Sequence, residues 1–260
     1  MDLREEDRNV GTLGGGLSGT ALVTGGARRV GAAIARSLHG AGMNVVIHYR
    51  ASGADARALA AELNQLRPDS ALSLRANLLA VDQLARLAEQ TLEHWGRLDA
   101  LVNNASTYYE TPLGSISESA FDDLLGTNLK APLFLSQACA PALRQARGAI
   151  VNISDLYARK PLAARAPYCA AKAGLEAMTR VLALELAPEV RVNAVAPSGI
   201  LWPIDDSVDP QRQKEHLARV PLQRLGGAEA IAEAVRYLVS PAAAFVTGTT
   251  LAVDGGEGLL

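Results

Sequence analysis

The chain has 260 residues, 49% of them hydrophobic and only 4% aromatic, enough for one large α/β domain built from small branched side chains. Its net charge of −2 excludes a basic field for nucleic acid or an acidic membrane surface. No run of about 18 apolar residues offers a membrane span. Cys139 and Cys169 lack any CxxC or Cys/His spacing, so free core thiols in a reducing, cytoplasmic compartment are expected, and no metal site.

Met1 to Ser18 begins charged, turns Gly-rich and lacks the apolar segment of a signal peptide. It reads as a mobile leader (1–18) ahead of a single domain over 19–260. Thr20 to Thr24 is a short β-compatible run ending at glycines. A helical pattern follows, with Val30, Ile34 and Leu38 four apart and Gly40 and Gly42 at its close. Asn44 to His48 is a continuous apolar strand of the kind buried on both faces of a parallel sheet. Ala54 to Leu66 then reads as a helix, Ala71 to Leu74 as a strand, and the stripe Leu84, Leu87, Leu92 as another helix.

The alternation continues with a strand at Asp99 to Val102, one long helix over Glu118 to Leu143, and a strand at Ala149 to Ile153. A helix at Pro167 to Leu186, a strand at Val190 to Val195, a helix holding Ile231 to Leu238 and a strand at Thr250 to Val253 complete the chain. Seven strands alternating with helices predict a Rossmann-like, doubly wound and mainly parallel α/β sheet. The stretch 197–227 carries Pro203, Pro210 and Pro221 and reads as irregular; loops of that length usually act as lids, here over a substrate.

Chemistry enters at the first strand-to-helix turn, Thr24-Gly25-Gly26-Ala27-Arg28-Arg29-Val30-Gly31. Glycines there let backbone N–H groups approach a pyrophosphate, which the helix N-terminus also favours. An NAD site usually carries an acidic residue about 20 positions on. Here His48-Tyr49-Arg50-Ala51-Ser52 has no carboxylate, while Arg28, Arg29 and Arg50 offer positive charge and Ser52 a hydroxyl for a 2′-phosphate. NADPH is the expected cofactor. Tyr168 and Lys172 lie four apart in a helical segment, on one side of it. A nearby ammonium can make a phenol a usable acid for reduction of a C=O or C=N bond.

Thr24-Gly25…Gly31, Asn103-Asn104-Ala105 and Tyr168-Cys169-Ala170-Ala171-Lys172 resemble the signature motifs of the short-chain dehydrogenase/reductase family, over about Thr20 to Gly256. The resemblance implies that Lys172 holds the nicotinamide ribose and lowers the Tyr168 pKa. It further implies that Asn128 supports a proton-relay water and that Asn104 braces the fourth strand. It adds Asn77, Leu78, Ala105, Ser106, Pro197 and Gly199 to the cofactor site, beside His48 and Tyr49, and implies a homotetramer. Three departures narrow the choice: Arg29 replaces the middle glycine, Ser106 replaces a glycine, and Asp155 stands where a catalytic serine is usual.

A carboxylate there can accept from amino groups or exchange protons with a ring nitrogen, so a nitrogenous substrate is expected. The departures are similar to the pteridine reductase branch, whose members reduce pterins and folates with NADPH. That likeness implies that Tyr108 stacks on the pterin and that Leu201 and Trp202 line its pocket. Competing readings are a carbonyl reductase acting on 3-oxoacyl thioesters and a non-catalytic NADPH-binding redox sensor. At single positions, Asp155 could merely cap a loop with Ser154 as the active hydroxyl, Tyr108 could be core packing, and Trp202 could clamp the lid.

Overall fold

The computed structural model describes residues 16–198 and 209–260. Seven strands form one sheet in the order β3-β2-β1-β4-β5-β6-β7, and every neighbouring pair is parallel. They are β1 (Thr20–Val23), β2 (Asn44–Tyr49), β3 (Ala71–Arg75), β4 (Ala100–Asn103), β5 (Ala149–Ile153), β6 (Arg191–Pro197) and β7 (Thr250–Val253). Side chains alternate across the pleat, so each central strand feeds two cores. Ala21, Val23, Val45 and Ile47 pack under α1 (Arg29–Gly40), α2 (Gly53–Leu66) and α8 (Gly227–Val239). Leu22 and Val46 face α3 (Val81–Trp95), α5 (Ala131–Ala146) and α6 (Ala166–Glu185). Strands buried on both faces explain the unbroken apolar runs in the sequence.

Three expectations need correction. Residues 16–18 belong to the fold rather than to a leader, because the Leu17 N–H donates to the Ala41 carbonyl at 2.6 Å and the side chain packs on the first core. The stretch 197–227 is not wholly irregular: it contains helix α7 (Pro210–Ala218). Finally, the long helix from Glu118 is not continuous. It breaks into α4 (Glu118–Leu125), a π-helical turn at Gly126–Lys130, and α5. The Ala131 N–H reaches back to Gly126. Pro132 is the cause, having no N–H to offer the Asn128 carbonyl and a ring that crowds it.

Strand order reverses between β1 and β4, and the crevice beyond their carboxyl ends is where such sheets bind ligands. The loops after β1, β2, β4 and β5 open there.

Candidate active site

A cleft of about 730 Å³ lies at this reversal. Its walls include Gly25, Arg28, Arg29, Val30 and Gly31 after β1, and His48, Tyr49, Arg50 and Ser52 after β2. Asn77 and Leu78 follow from β3, Asn104, Ala105, Ser106 and Tyr108 from β4, Asp155 from β5, Tyr168 and Lys172 from α6, and Pro197 from β6. Gly199, Leu201 and Trp202 lie outside the described residues. Thr107, Thr127 and Ser154 also line the cleft, a consequence of loop packing that no spacing signals.

The phosphate-side loop is built for close backbone approach. Gly25 has φ +60°, and a Cβ there would come 3.0 Å from Ala105 Cα; a Cβ on Gly31 would come 2.2 Å from the Gly25 carbonyl oxygen. Arg29 also adopts a left-handed φ of +49°, the conformation that glycine holds without strain and an arginine holds at a cost of about 1 kcal/mol. Thr24 Oγ1 accepts from the Asn104 and Ala105 N–H groups at 2.9 and 3.0 Å, while Asn104 Nδ2 donates to the Thr24 carbonyl at 2.9 Å. Asn104 thus ties the loop to the end of β4.

His48 and Arg28 depart from the charge expected of this region. His48 is buried, accepts from the Gly25 N–H at Nδ1 (3.2 Å) and bonds the Ala76 carbonyl through Nε2 (3.2 Å). Burial pushes its pKa down to about 4, so it is a neutral strut for the glycine loop. Arg28 is paired with Asp55 in the first turn of α2 at 2.6 Å. That carboxylate lies just past Ser52 in the sequence, and only folding brings it to Arg28. The Arg50 guanidinium has no ion-pair partner among the described residues. The glycine cradle and the helix N-terminus of α1 fit the pyrophosphate of a nicotinamide dinucleotide.

At the other end of the cleft, the Tyr168 hydroxyl donates to Asp155 Oδ2 at 2.7 Å. Asp155 Oδ1 accepts from the Tyr157 N–H at 2.8 Å, so Asp155 also caps the 3₁₀ turn Leu156–Ala158. Lys172 Nζ donates to the Ile153 carbonyl at 2.8 Å and sits 5.7 Å from the centre of the Tyr168 ring. Ser154 lines the cleft, but its hydroxyl turns inward and donates to Glu176 at 3.2 Å. Asn128, in the π turn, accepts from Ser106 Oγ at 2.6 Å and donates to the Thr107 and Leu124 carbonyls.

Electrostatics correct one implied role. The Tyr168 phenol is pushed up, not down, first by burial and then by the charge and hydrogen bond of Asp155; the Ser106 hydroxyl opposes this. Burial likewise raises Asp155 above the ordinary carboxylate range, against the Tyr157 N–H, Tyr168 and Lys172. It lowers Lys172 to about 8. The phenol therefore keeps its proton and presents it, with a carboxyl group beside it that titrates more readily.

Tyr108 is 47% exposed. Its ring stands edge-on to Tyr168 at 4.8 Å, with the Arg165 guanidinium 4.9 Å from its centre. Arg165, unmarked by any sequence motif, also pairs with Glu110 at 3.0 Å.

Four likenesses to known proteins bear on this arrangement. A family profile described as Enoyl-(Acyl carrier protein) reductase matches residues 25–257. "Pteridine reductase 1" of Leishmania tarentolae is 39% identical over 92% of this chain and 96% of its own length. A 3-oxoacyl-(acyl-carrier-protein) reductase of Staphylococcus aureus is 36% identical over 91% of this chain and 97% of its own. The L-xylulose reductase of Bos taurus is 35% identical over 91% and 95%.

Proposed function

The chain belongs to the short-chain dehydrogenase/reductase family and is an oxidoreductase, and from that premise we propose that it reduces dihydropterins or dihydrofolate to their tetrahydro forms with NADPH. The observation that carries this reading is the Asp155 carboxylate, 2.7 Å from the Tyr168 hydroxyl, in the place of a hydroxyl side chain. A hydroxyl suffices to orient a carbonyl oxygen. Amino groups and ring nitrogens instead call for an acceptor that also exchanges protons.

NADPH, when bound, supplies the hydride. The Tyr168 hydroxyl holds the proton needed at the substrate nitrogen, and Asp155 accepts from the substrate's N–H donors and exchanges protons with the phenol. Asn128 fixes the Ser106 hydroxyl close to Tyr168. The half-exposed Tyr108 ring offers a face for a flat heterocycle. Lys172 holds the cofactor ribose from its buried site. The likeness to a pteridine reductase supports this reading, although 3-oxoacyl thioester reductases are similar to nearly the same degree.

The test is NADPH consumption with dihydrobiopterin, dihydrofolate, oxidised biopterin and an acetoacetyl thioester in parallel, in the native chain and in Asp155→Ser. Pterin turnover should exceed thioester turnover and should fall about 10²-fold in the variant, with NADPH binding unchanged. Thioester turnover alone, or a variant as fast as the native chain on pterins, would return the function to a carbonyl reductase. For the cofactor, NADPH should bind at least about tenfold more tightly than NADH, roughly 1.4 kcal/mol. Arg50→Ala should weaken NADPH and leave NADH unchanged; equal dissociation constants in the native chain would sink the assignment.

A further inference from the structure

Glu176 is a buried carboxylate that the chemistry above does not use. It lies on α6 one turn beyond Lys172 and two beyond Tyr168, at 5% exposure. Its Oε1 accepts from Ser154 Oγ at 3.2 Å and its Oε2 from Arg159 Nε at 2.8 Å. Those two partners flank the 3₁₀ turn Leu156–Ala158, which Asp155 caps. One side chain on a long helix therefore holds both ends of the segment that carries Asp155.

The local backbone gives this hold a directional consequence. Asp155 is extended, with φ −161° and ψ 151°, and the Ser154 N–H continues the sheet by bonding the Val195 carbonyl at 2.7 Å. Neighbouring residues in extended backbone point to opposite sides. Drawing the Ser154 hydroxyl inward to Glu176 thus turns Asp155 outward to Tyr168. A buried carboxylate is tolerated where its charge is paired, and Arg159, half-exposed at the rim, pairs it.

We infer that Glu176 is a positioning residue that fixes the Ser154–Arg159 turn so that Asp155, and not Ser154, meets the substrate. The inference rests on the reading of Asp155 given above. The groups facing Asp155 are Tyr157 from the 3₁₀ turn that it caps, Tyr168 and Lys172 from α6, and Glu257 from the C-terminal 3₁₀ turn. Releasing the turn would admit water to Asp155 and remove the burial that holds its carboxyl above the ordinary range. The acid limb of the pH–rate profile should then move to lower pH.

The experiment compares Glu176→Ala, Glu176→Gln and Asp155→Ser in the full chain, with NADPH binding as the check on folding. For Glu176→Ala, kcat on dihydropterin should fall about tenfold or more while NADPH affinity stays within roughly twofold. The acid limb should move down, and a crystal structure should show the Asp155–Tyr168 bond broken. Glu176→Gln, which keeps an acceptor for Ser154 but loses the charge paired with Arg159, should lie between the two. It decides the matter on the same readouts if Glu176→Ala fails to bind NADPH. An alanine variant with native kcat, pH profile and Asp155–Tyr168 distance overturns the inference. If Asp155→Ser still reduces pterins while the alanine structure shows the turn released, the substrate reading fails and the positioning role stands.

Discussion

His48 shows how far a residue's type can mislead about its charge. It lies beside Tyr49 and Arg50 in the sequence, and burial holds it neutral between Gly25 and Ala76. Its folded pKa of about 4 lies below the unfolded value of about 6.5. The unfolded chain therefore binds more protons between these values, and stability is complete above the upper one and lost as pH falls through the lower. From pH 7 to about pH 5 this amounts to about 2 kcal/mol. Urea midpoints at the two pH values should separate more for the native chain than for His48→Gln; equal separations would remove the assigned strut. Arg28 teaches the same lesson through a partner, since Asp55 lies 27 residues away in the sequence and 2.6 Å away in space.

Among the elements, the π turn at Gly126–Lys130 most directly couples backbone to chemistry. It places Asn128 where its Oδ1 takes the Ser106 hydroxyl and its amide ties down Thr107 and Leu124. A regular α-helix would rotate Asn128 away, because the extra residue in the turn is what changes its heading. Pro132→Ala restores the missing donor for the Asn128 carbonyl, so the turn should relax toward α geometry. Turnover is expected to fall on the order of tenfold with no loss of thermal stability. A variant with native turnover and an intact π turn in its crystal structure would show that Pro132 is not the cause. Proline inside an apolar helical pattern was the available sequence signal, and the periodicity on either side concealed it.

On the scale of the whole molecule, the sheet gathers its chemistry at the carboxyl ends of its strands and leaves apolar side chains exposed elsewhere. Val181 and Leu184 on α6, with Phe245 and Leu251 near the last strand, are all substantially exposed, an arrangement that suits burial against further copies of the chain. A homotetramer is accordingly proposed. Light scattering at micromolar concentration should give four times the 27.2 kDa chain mass, and a monomer mass would refute it. Among the described residues no helix is long and apolar enough to cross a membrane.

The sequence by itself determined the order of the seven strands, the parallel sheet, and the placing of Tyr168 and Lys172 on one side of a helix. These depend on short-range periodicity, on glycines at one turn, and on a four-residue helical spacing. It also singled out Asp155, because a carboxylate in a hydroxyl's place is visible as a letter. Whether the Asp155 carboxylate or the Ser154 hydroxyl reaches Tyr168, whether His48 is charged and what neutralises Arg28 were decided by the tertiary structure alone. Each of these depends on a partner far away in the chain or on burial from water, and neither exists until the sheet has closed around them.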